Sequence, residues 1–532
     1  MKKVLEKHGV LKCIGALMDV IALILFITSA FVDGTNGDMI IKLIGVVLFV
    51  VGSLFITLKA ENHRLGKSLL VFIITTVLLT WLFPYGYFQG SDFYDYEMSR
   101  IGFTDLSYAI YYAINFTMDK IVFLVVVAGF YGVLSITSGY QKLVEKTSEK
   151  FKNHPAVWTV ITSIILFVIT SLTTQSFIVI LFIPFFVSVL SKMGMDKLTA
   201  FAATFGSAVV GILGCTYGTD SLISFNYYLG QELSVGLTYR FIIAITALVL
   251  YNFFLVMRVR KITKTTKKNT KNTSNEEDPY MIEKAKGKDV KMYPTVIVLA
   301  LTVIMTLLGY ISFTNDFNID VFDKFHEWLT GLEIGEGFTI FKYILGSKAD
   351  ALGAFSFVFI ISIVLLLASM LLAFLYKIDV DKYIESFYEG TKKIFKPLLL
   401  LISVYTIFGI CYLSPVIPTI ANWFLNLVDG FNPYMTSIMA FVTSLFQNDL
   451  GYTAYTIGGF LTSVYTNDIS LVHTIFISMY GLIQVFMPTS ALLVVGLSFM
   501  KVDYKDWLKY IWLFILGMLV ILLVLFTVVA YI

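Results

Sequence analysis

Four short polar runs interrupt apolar stretches of this chain, and they hold the residues best suited to binding chemistry. The first is Ser171-Leu172-Thr173-Thr174-Gln175-Ser176 and the second is Thr443-Ser444-Leu445-Phe446-Gln447-Asn448-Asp449. The third runs from Gly211 to Asp220 through Gly214, Cys215 and Thr216, and the fourth from Gly481 to Ser490 through Pro488 and Thr489. Hydroxyls, carboxamides and free backbone groups hold a polar solute through hydrogen bonds. Helix ends add a positive dipole for an anion, and unwound carbonyls are suited to Na⁺. No Lys or Arg lies in any of the four runs, so a bound anion must be held without a side-chain cation. The expected substrate contacts are Thr173, Thr174, Gln175, Ser176, Gly214, Cys215, Thr216, Gln447, Asn448, Pro488, Thr489 and Ser490. The expected ion-coupling residues are Asp449, Asp220 and Ser444, because an acid at membrane depth is a functional candidate by default. The coupling ion would be Na⁺ or H⁺, with no other cofactor.

Plainer roles exist for several of these. The hairpin polar residues could cap turns. Gly206 and Gly211 read as a small-residue packing face, Pro488 could be a simple kink, and Asp19 reads as a packing or interface acid. His473 is expected at the membrane interface.

The spacing ties the runs together. Gln175 and Gln447 are 272 residues apart, as are Thr216 and Pro488, so tip and break are separated by 41 residues in each half. The elements that must carry them are membrane helices. The chain has 532 residues, 58% hydrophobic and only 14% charged, whereas soluble domains carry about 25% charged residues. Stretches of about 20 apolar residues span a bilayer. They occur at 10–32, 39–58, 68–84, 117–139, 199–230, 237–257, 294–313, 351–376, 397–414, 468–499 and 507–531. Residues 10–32 are too long for the apolar core of a cleavable signal and read as the first membrane helix. The stretches 157–191 and 433–465 are too long for one helix, and each is broken by one of the polar runs.

Lys and Arg cluster in the N-terminus, 59–67, 140–155, 258–291 and 377–396, while loops 85–106 and 314–348 are acidic. The positive-inside rule puts the basic segments in the cytoplasm. The assignments close only if 157–191 and 433–465 each enter and leave on one side, as re-entrant hairpins of opposite sense. The expected fold is therefore an all-α polytopic membrane protein with about 11 transmembrane helices, two re-entrant hairpins and an inverted-topology repeat. Its parts are an extra helix (1–38), a first repeat (39–257), a basic flexible linker (258–293) and a second repeat (294–532). The N-terminus is expected in the cytoplasm and the C-terminus outside the cell membrane. The three cysteines read as small apolar residues.

Irregular backbone at membrane depth survives only where protein buries it or a polar cavity wets it. Paired broken helices in inverted repeats are the pattern of secondary transporters. A membrane-embedded transferase acting on a lipid-linked substrate would need clustered acids or a His near one face. A channel would need a narrow filter. The chain has no G-x-x-x-x-G-K-[ST] phosphate loop for ATP.

Three stretches also resemble a known family. They are Ile121–Tyr140, closing on Thr137-Ser138-Gly139; Gly194–Gly218, with Gly206, Gly211, Gly214 and Thr216; and Ile483–Trp507, where Pro488-Thr489-Ser490 precedes a short Lys/Asp turn and Trp507. The chain is similar here to the anaerobic C4-dicarboxylate carriers of the ion transporter superfamily. That resemblance implies a scaffold and a transport domain. It further implies proton- or sodium-coupled movement of a carboxylate or amino acid, by an elevator motion in a homodimer. Small solute and lipid bilayer are the implied partners, and nucleic acid is not. One departure stands out. Thr173-Thr174-Gln175-Ser176 carries no acid where the family's first hairpin tip does, so substrate and ion do not carry over.

Overall fold

The computed structural model describes residues 10–32, 36–173, 175–217, 220–268, 291–335 and 337–531. In chain order the elements begin with α1 (Val10–Ser29), α2 (Asn36–Leu58), α3 (Arg64–Leu82), β1 (Gly86–Gln89) and β2 (Asp92–Asp95). Next come α4 (Asp105–Ile136), α5 (Ser138–Phe151), α6 (Pro155–Leu172), a 3₁₀ turn (Ser176–Leu181) and α7 (Ile183–Lys192). Helix α8 (Lys197–Phe201) passes through a π-turn (Ala202–Gly206) into α9 (Ser207–Leu213), and α10 (Asp220–Leu229) and α11 (Leu237–Lys268) follow. After the linker come α12 (Tyr293–Tyr310), α13 (Phe313–Phe317), α14 (Val321–Thr330), α15 (Ile340–Leu345), α16 (Ser362–Leu375) and α17 (Val380–Lys392). The chain closes with α18 (Phe395–Leu413), α19 (Ile417–Leu425), α20 (Pro433–Phe446), α21 (Leu450–Val464), α22 (Ile469–Phe486), α23 (Ala491–Phe499) and α24 (Tyr504–Tyr531).

Local chemistry accounts for many of these boundaries. Pro155, Pro184, Pro294, Pro418 and Pro433 all sit in first turns, where a missing N–H costs nothing. Asp196, Asp379, Asn432 and Asp449 cap α8, α17, α20 and α21 with side-chain oxygens.

Eleven helices among the described residues are long and apolar enough to cross a membrane, so the protein is an all-α integral membrane protein. The number matches the expectation, but the set differs by one. Pro155–Leu172 qualifies, whereas 199–230 does not, because the backbone leaves the helix at Gly214 (φ −89°, ψ 35°). Each long apolar stretch is a helix–break–helix, with breaks marked by Thr173 and Gln175 in the first and at 447–449 in the second. Three connections hold more structure than expected. Loop 85–106 contains an antiparallel hairpin with Gly86 opposite Asp95, loop 314–348 contains α14 and α15, and α11 continues to Lys268. Linker residues 269–290 lie outside the described residues.

The chain forms two compact units that do not follow the two sequence halves. The first comprises Met1–Thr117, Ser224–Gln231 and Pro397–Ile532, and the second Met118–Ile223 and Glu232–Lys396. The first unit thus takes α2 and α3 from the N-terminal half, with the broken stretch α20–α21, the pair α22–α23 and α24 from the C-terminal half. The second takes the reciprocal set: α12 and α16 with α6–α7, α8–α9 and α11.

Backbones within each unit cross at glycines. In the first, a Cβ on Gly15 would lie 2.5 Å from the Gly52 carbonyl, and Ser53 donates to Asp19 across the same α1–α2 crossing at 3.2 Å. Asp19 is therefore a packing acid. A Cβ on Gly409 of α18 would lie 2.4 Å from the Ala109 carbonyl of α4. In the second unit, a Cβ on Gly132 would lie 2.1 Å from the Ser386 carbonyl of α17. Without a hydrophobic effect to drive helices together in lipid, such close contacts are what hold them.

Candidate functional site

In the second unit, α6 ends at Leu172 and its backbone becomes extended at Thr173. The hydroxyl of Thr173 turns back to the Ile169 carbonyl at 2.8 Å. Ser171, two residues earlier, stitches this tip to the break after α9. Its hydroxyl donates to the Gly214 carbonyl at 2.7 Å and lies 2.9 Å from the Thr216 hydroxyl, and the Thr216 N–H donates to it at 3.1 Å. Thr216 is so oriented only because Gly214 lets the chain approach the Phe167 ring and the Ala244 backbone, where a Cβ would collide. Cys215 and Ser176 are buried beside them, and Gln175 reaches the Ser356 carbonyl at 2.6 Å. This tip and break form one closed hydrogen-bonded knot. Thr174 and the side chain of Asp220 lie outside the described residues.

The first unit holds the other tip, built differently. Helix α20 ends at Phe446, and Gln447 and Asp449 are extended. Gln447 accepts from the Thr453 hydroxyl at 2.8 Å, and Tyr480 of α22 donates to the Asn448 carbonyl at 2.9 Å. Helix α20 packs along α22, which carries this tip to the fourth polar run. Gln484 is one turn beyond Tyr480 and so lies on the same helix face. After Phe486 the chain breaks at Met487 and Pro488, and α23 starts behind Ser490, whose hydroxyl makes no cap. The carbonyls before the break do not stay open. Trp507 donates to Val485 at 3.0 Å and Tyr504 to Phe486 at 2.9 Å, both from the first turn of α24.

What stays open here is the side chains. Gln447 Nε2, Asn448 Oδ1 and Nδ2, Gln484 Nε2, Thr489 Oγ1 and Ser490 Oγ are buried and have no hydrogen-bond partner among the described residues. Gln447 and Ser490 are 0% exposed, Thr489 1% and Gln484 3%. Each such atom costs about 1–3 kcal/mol unless something polar meets it. Six orphans at one tip and its partner break are a set of donors and acceptors ready for a polar ligand, in a stretch with no cation.

The ion-coupling candidates fall into different surroundings. Asp449 is exposed and caps α21, accepting from the Tyr452 N–H at 3.0 Å. Ser444 is fully buried and donates to the Ala440 carbonyl of its own helix at 2.7 Å. The Tyr452 ring meets Phe408 edge-on at 5.0 Å and Tyr412 at 5.9 Å, giving the Asp449 cap an aromatic flank.

Sequence reasoning placed His473 at the membrane interface. It is fully buried within the protein, bonded to Asn226 of α10 and flanked by Phe225. An imidazole has two polar atoms, and α10 supplies a carboxamide partner inside the protein. Gln484 was missed as a site residue. Its signal was present, since it is the only carboxamide within α22. Ser171 was read as part of a break rather than as the residue that organises it.

The sequence profile of a family described as DcuC, C4-dicarboxylate anaerobic carrier, matches residues 67–451 of this chain. A comparison with curated proteins finds no match. Among solved structures, the chain is similar to the YdaH transporter of Alcanivorax borkumensis, whose crystal structure is described as revealing an unusual topology. The likeness has 11% identity and a TM-score of 0.33, and covers 86% of this chain and 96% of that one.

Proposed function

Because the chain belongs to the C4-dicarboxylate anaerobic carrier family, we propose that it is an ion-coupled secondary transporter that carries a small carboxylate or amino acid across the cell membrane. It is a membrane transporter and not an enzyme. The reading beyond that rests on one observation: the six buried orphan polar atoms of Gln447, Asn448, Gln484, Thr489 and Ser490. Buried polar atoms call for a partner, and a polar solute bound in the working state would supply one to each of these.

In this proposal the solute's polar group is held at the second tip and break by these carboxamides and hydroxyls. The first tip, closed on itself through Ser171, Gly214 and Thr216, keeps its own broken helix in shape. Asp449 carries the coupling Na⁺ or H⁺, and the protein works as an elevator in a homodimer.

The test is uptake by purified protein in proteoliposomes. A panel of radiolabelled carboxylates and amino acids is offered with an inward Na⁺ gradient, with a pH gradient, and with neither. The expected result is accumulation of at least one solute that needs one of the two gradients. If no solute moves under any gradient, the proposal fails. If a solute moves but never accumulates, the coupling part fails.

A further inference from the structure

At one end of the first unit, two segments more than four hundred residues apart bring four cations together. The turn between α2 and α3 supplies Lys59 and Arg64, and the start of α24 supplies Lys505 and Lys509. Arg64 fixes the arrangement by pairing with Asp503 at 2.5 Å. The same carboxylate accepts the backbone N–H of Lys505 at 2.9 Å, so Arg64 is fixed at the start of α24, where Lys505 stands. Lys59 stands five residues before Arg64 in the same connection, and Lys509 one helical turn after Lys505. Among the described residues three carboxylates accompany the four cations: Asp503 is taken by Arg64, Asp506 reaches Lys509 at 4.0 Å, and Glu61 shares the exposed turn with Lys59 without an ion pair to it. Among the described residues no acid pairs with Lys59 or Lys505. Bringing like charges together costs energy that an anion recovers.

The surroundings say which anion. Lys505, Lys509, Trp512 and Leu516 follow one another at spacings of four, three and four, so they form one stripe of α24. Trp512 and Leu516 are more than half exposed, as is Val520 further along the helix. The stripe therefore passes from cations, through a tryptophan, to bare apolar surface, which is the profile of a helix crossing from headgroups into acyl chains. Basic pockets between membrane helices bind anionic headgroups.

We propose that Lys59, Arg64, Lys505 and Lys509 bind the phosphate headgroup of an anionic phospholipid, whose acyl chains lie along Trp512 and Leu516. The site adjoins the candidate solute site, since Tyr504 and Trp507, on either side of Lys505, hold the two carbonyls that precede the break in α22.

The experiment uses the full-length protein in a neutral detergent, titrated with phosphatidylglycerol, with phosphatidylcholine of the same chains, and with inorganic phosphate, read by native mass spectrometry. Phosphatidylglycerol should bind tighter than phosphatidylcholine. The Lys505→Gln, Lys509→Gln double variant should lose phosphatidylglycerol affinity by about fivefold per lysine, with phosphatidylcholine unchanged. The corresponding double Arg variant should keep it. The single Lys59→Gln, on an exposed turn, should lose about fivefold and serves if the double variant does not fold. Equal binding of the two lipids, undiminished affinity in the Gln variants, or competition by inorganic phosphate as strong as by the lipid would each overturn the proposal.

Discussion

Thr489→Val separates a ligand-binding hydroxyl from a structural one, because the two have opposite signs. Thr489 is 1% exposed and its hydroxyl has no partner among the described residues. Replacing that hydroxyl by a methyl removes an unmet desolvation cost of about 1–3 kcal/mol, so the empty protein should gain about 1–2 kcal/mol. Solute binding should weaken at the same time. A hydrogen bond to a charged group is worth about 1.5–3 kcal/mol, which is roughly ten- to a hundredfold in Kd for a carboxylate. The control is Thr453→Val. Its hydroxyl donates to Gln447 Oε1 at 2.8 Å, so the same change strands a buried carboxamide oxygen and should destabilise by about 1–3 kcal/mol. Denaturation midpoints of the two variants, measured side by side with and without transported solute, decide the matter. Thr489→Val should raise the midpoint of the empty protein and shrink the shift that solute produces. If it lowers the midpoint while transport is kept, the hydroxyl is an ordinary core group and the orphan argument is wrong.

Other perturbations follow from the same geometry. Ser171→Ala removes the group that meets both the Gly214 carbonyl and the Thr216 N–H. It should destabilise by about 2–4 kcal/mol, read as a lower denaturation midpoint, and a midpoint unchanged from wild type would rule out the knot. Asp449→Asn keeps an N-cap of equal quality, so stability should hold while gradient-driven accumulation is lost. Asp449→Ala should in addition lose about 0.5–2 kcal/mol of stability. Gly132→Ala drives a methyl into the Ser386 carbonyl, 2.1 Å from the ideal Cβ position. It should cost about 1–3 kcal/mol, whereas Gly90→Ala, on an open turn, should be milder despite the positive φ at that position.

Much of the helical layout was legible because bilayer solvation imposes a crude, one-dimensional requirement: enough apolar residues in a row. That requirement found the broken stretches at 157–191 and 433–465. It did not find the hairpin at 86–95. Its strands are four residues each and rich in Tyr and Phe, and a window sized for membrane helices passes over them. Nor did it find that α4 starts at Asp105, because its first three turns, Asp105–Phe116, mix tyrosines with polar residues.

The candidate site divided along the same line. Composition and spacing by themselves picked out Thr173–Ser176, Gly214–Thr216, Gln447–Asp449 and Pro488–Ser490, because a polar run inside an apolar stretch is conspicuous to anyone counting hydropathy. Whether such a run is satisfied or waiting depends on distances between residues far apart in the chain. Ser171 closes the first tip onto Gly214 and Thr216, while Tyr504 and Trp507 of α24 take the backbone carbonyls of the fourth run and leave its side chains open. Hydropathy belongs to each residue alone and can be read along a line. Hydrogen-bond satisfaction belongs to pairs, and only the tertiary structure says which pairs meet.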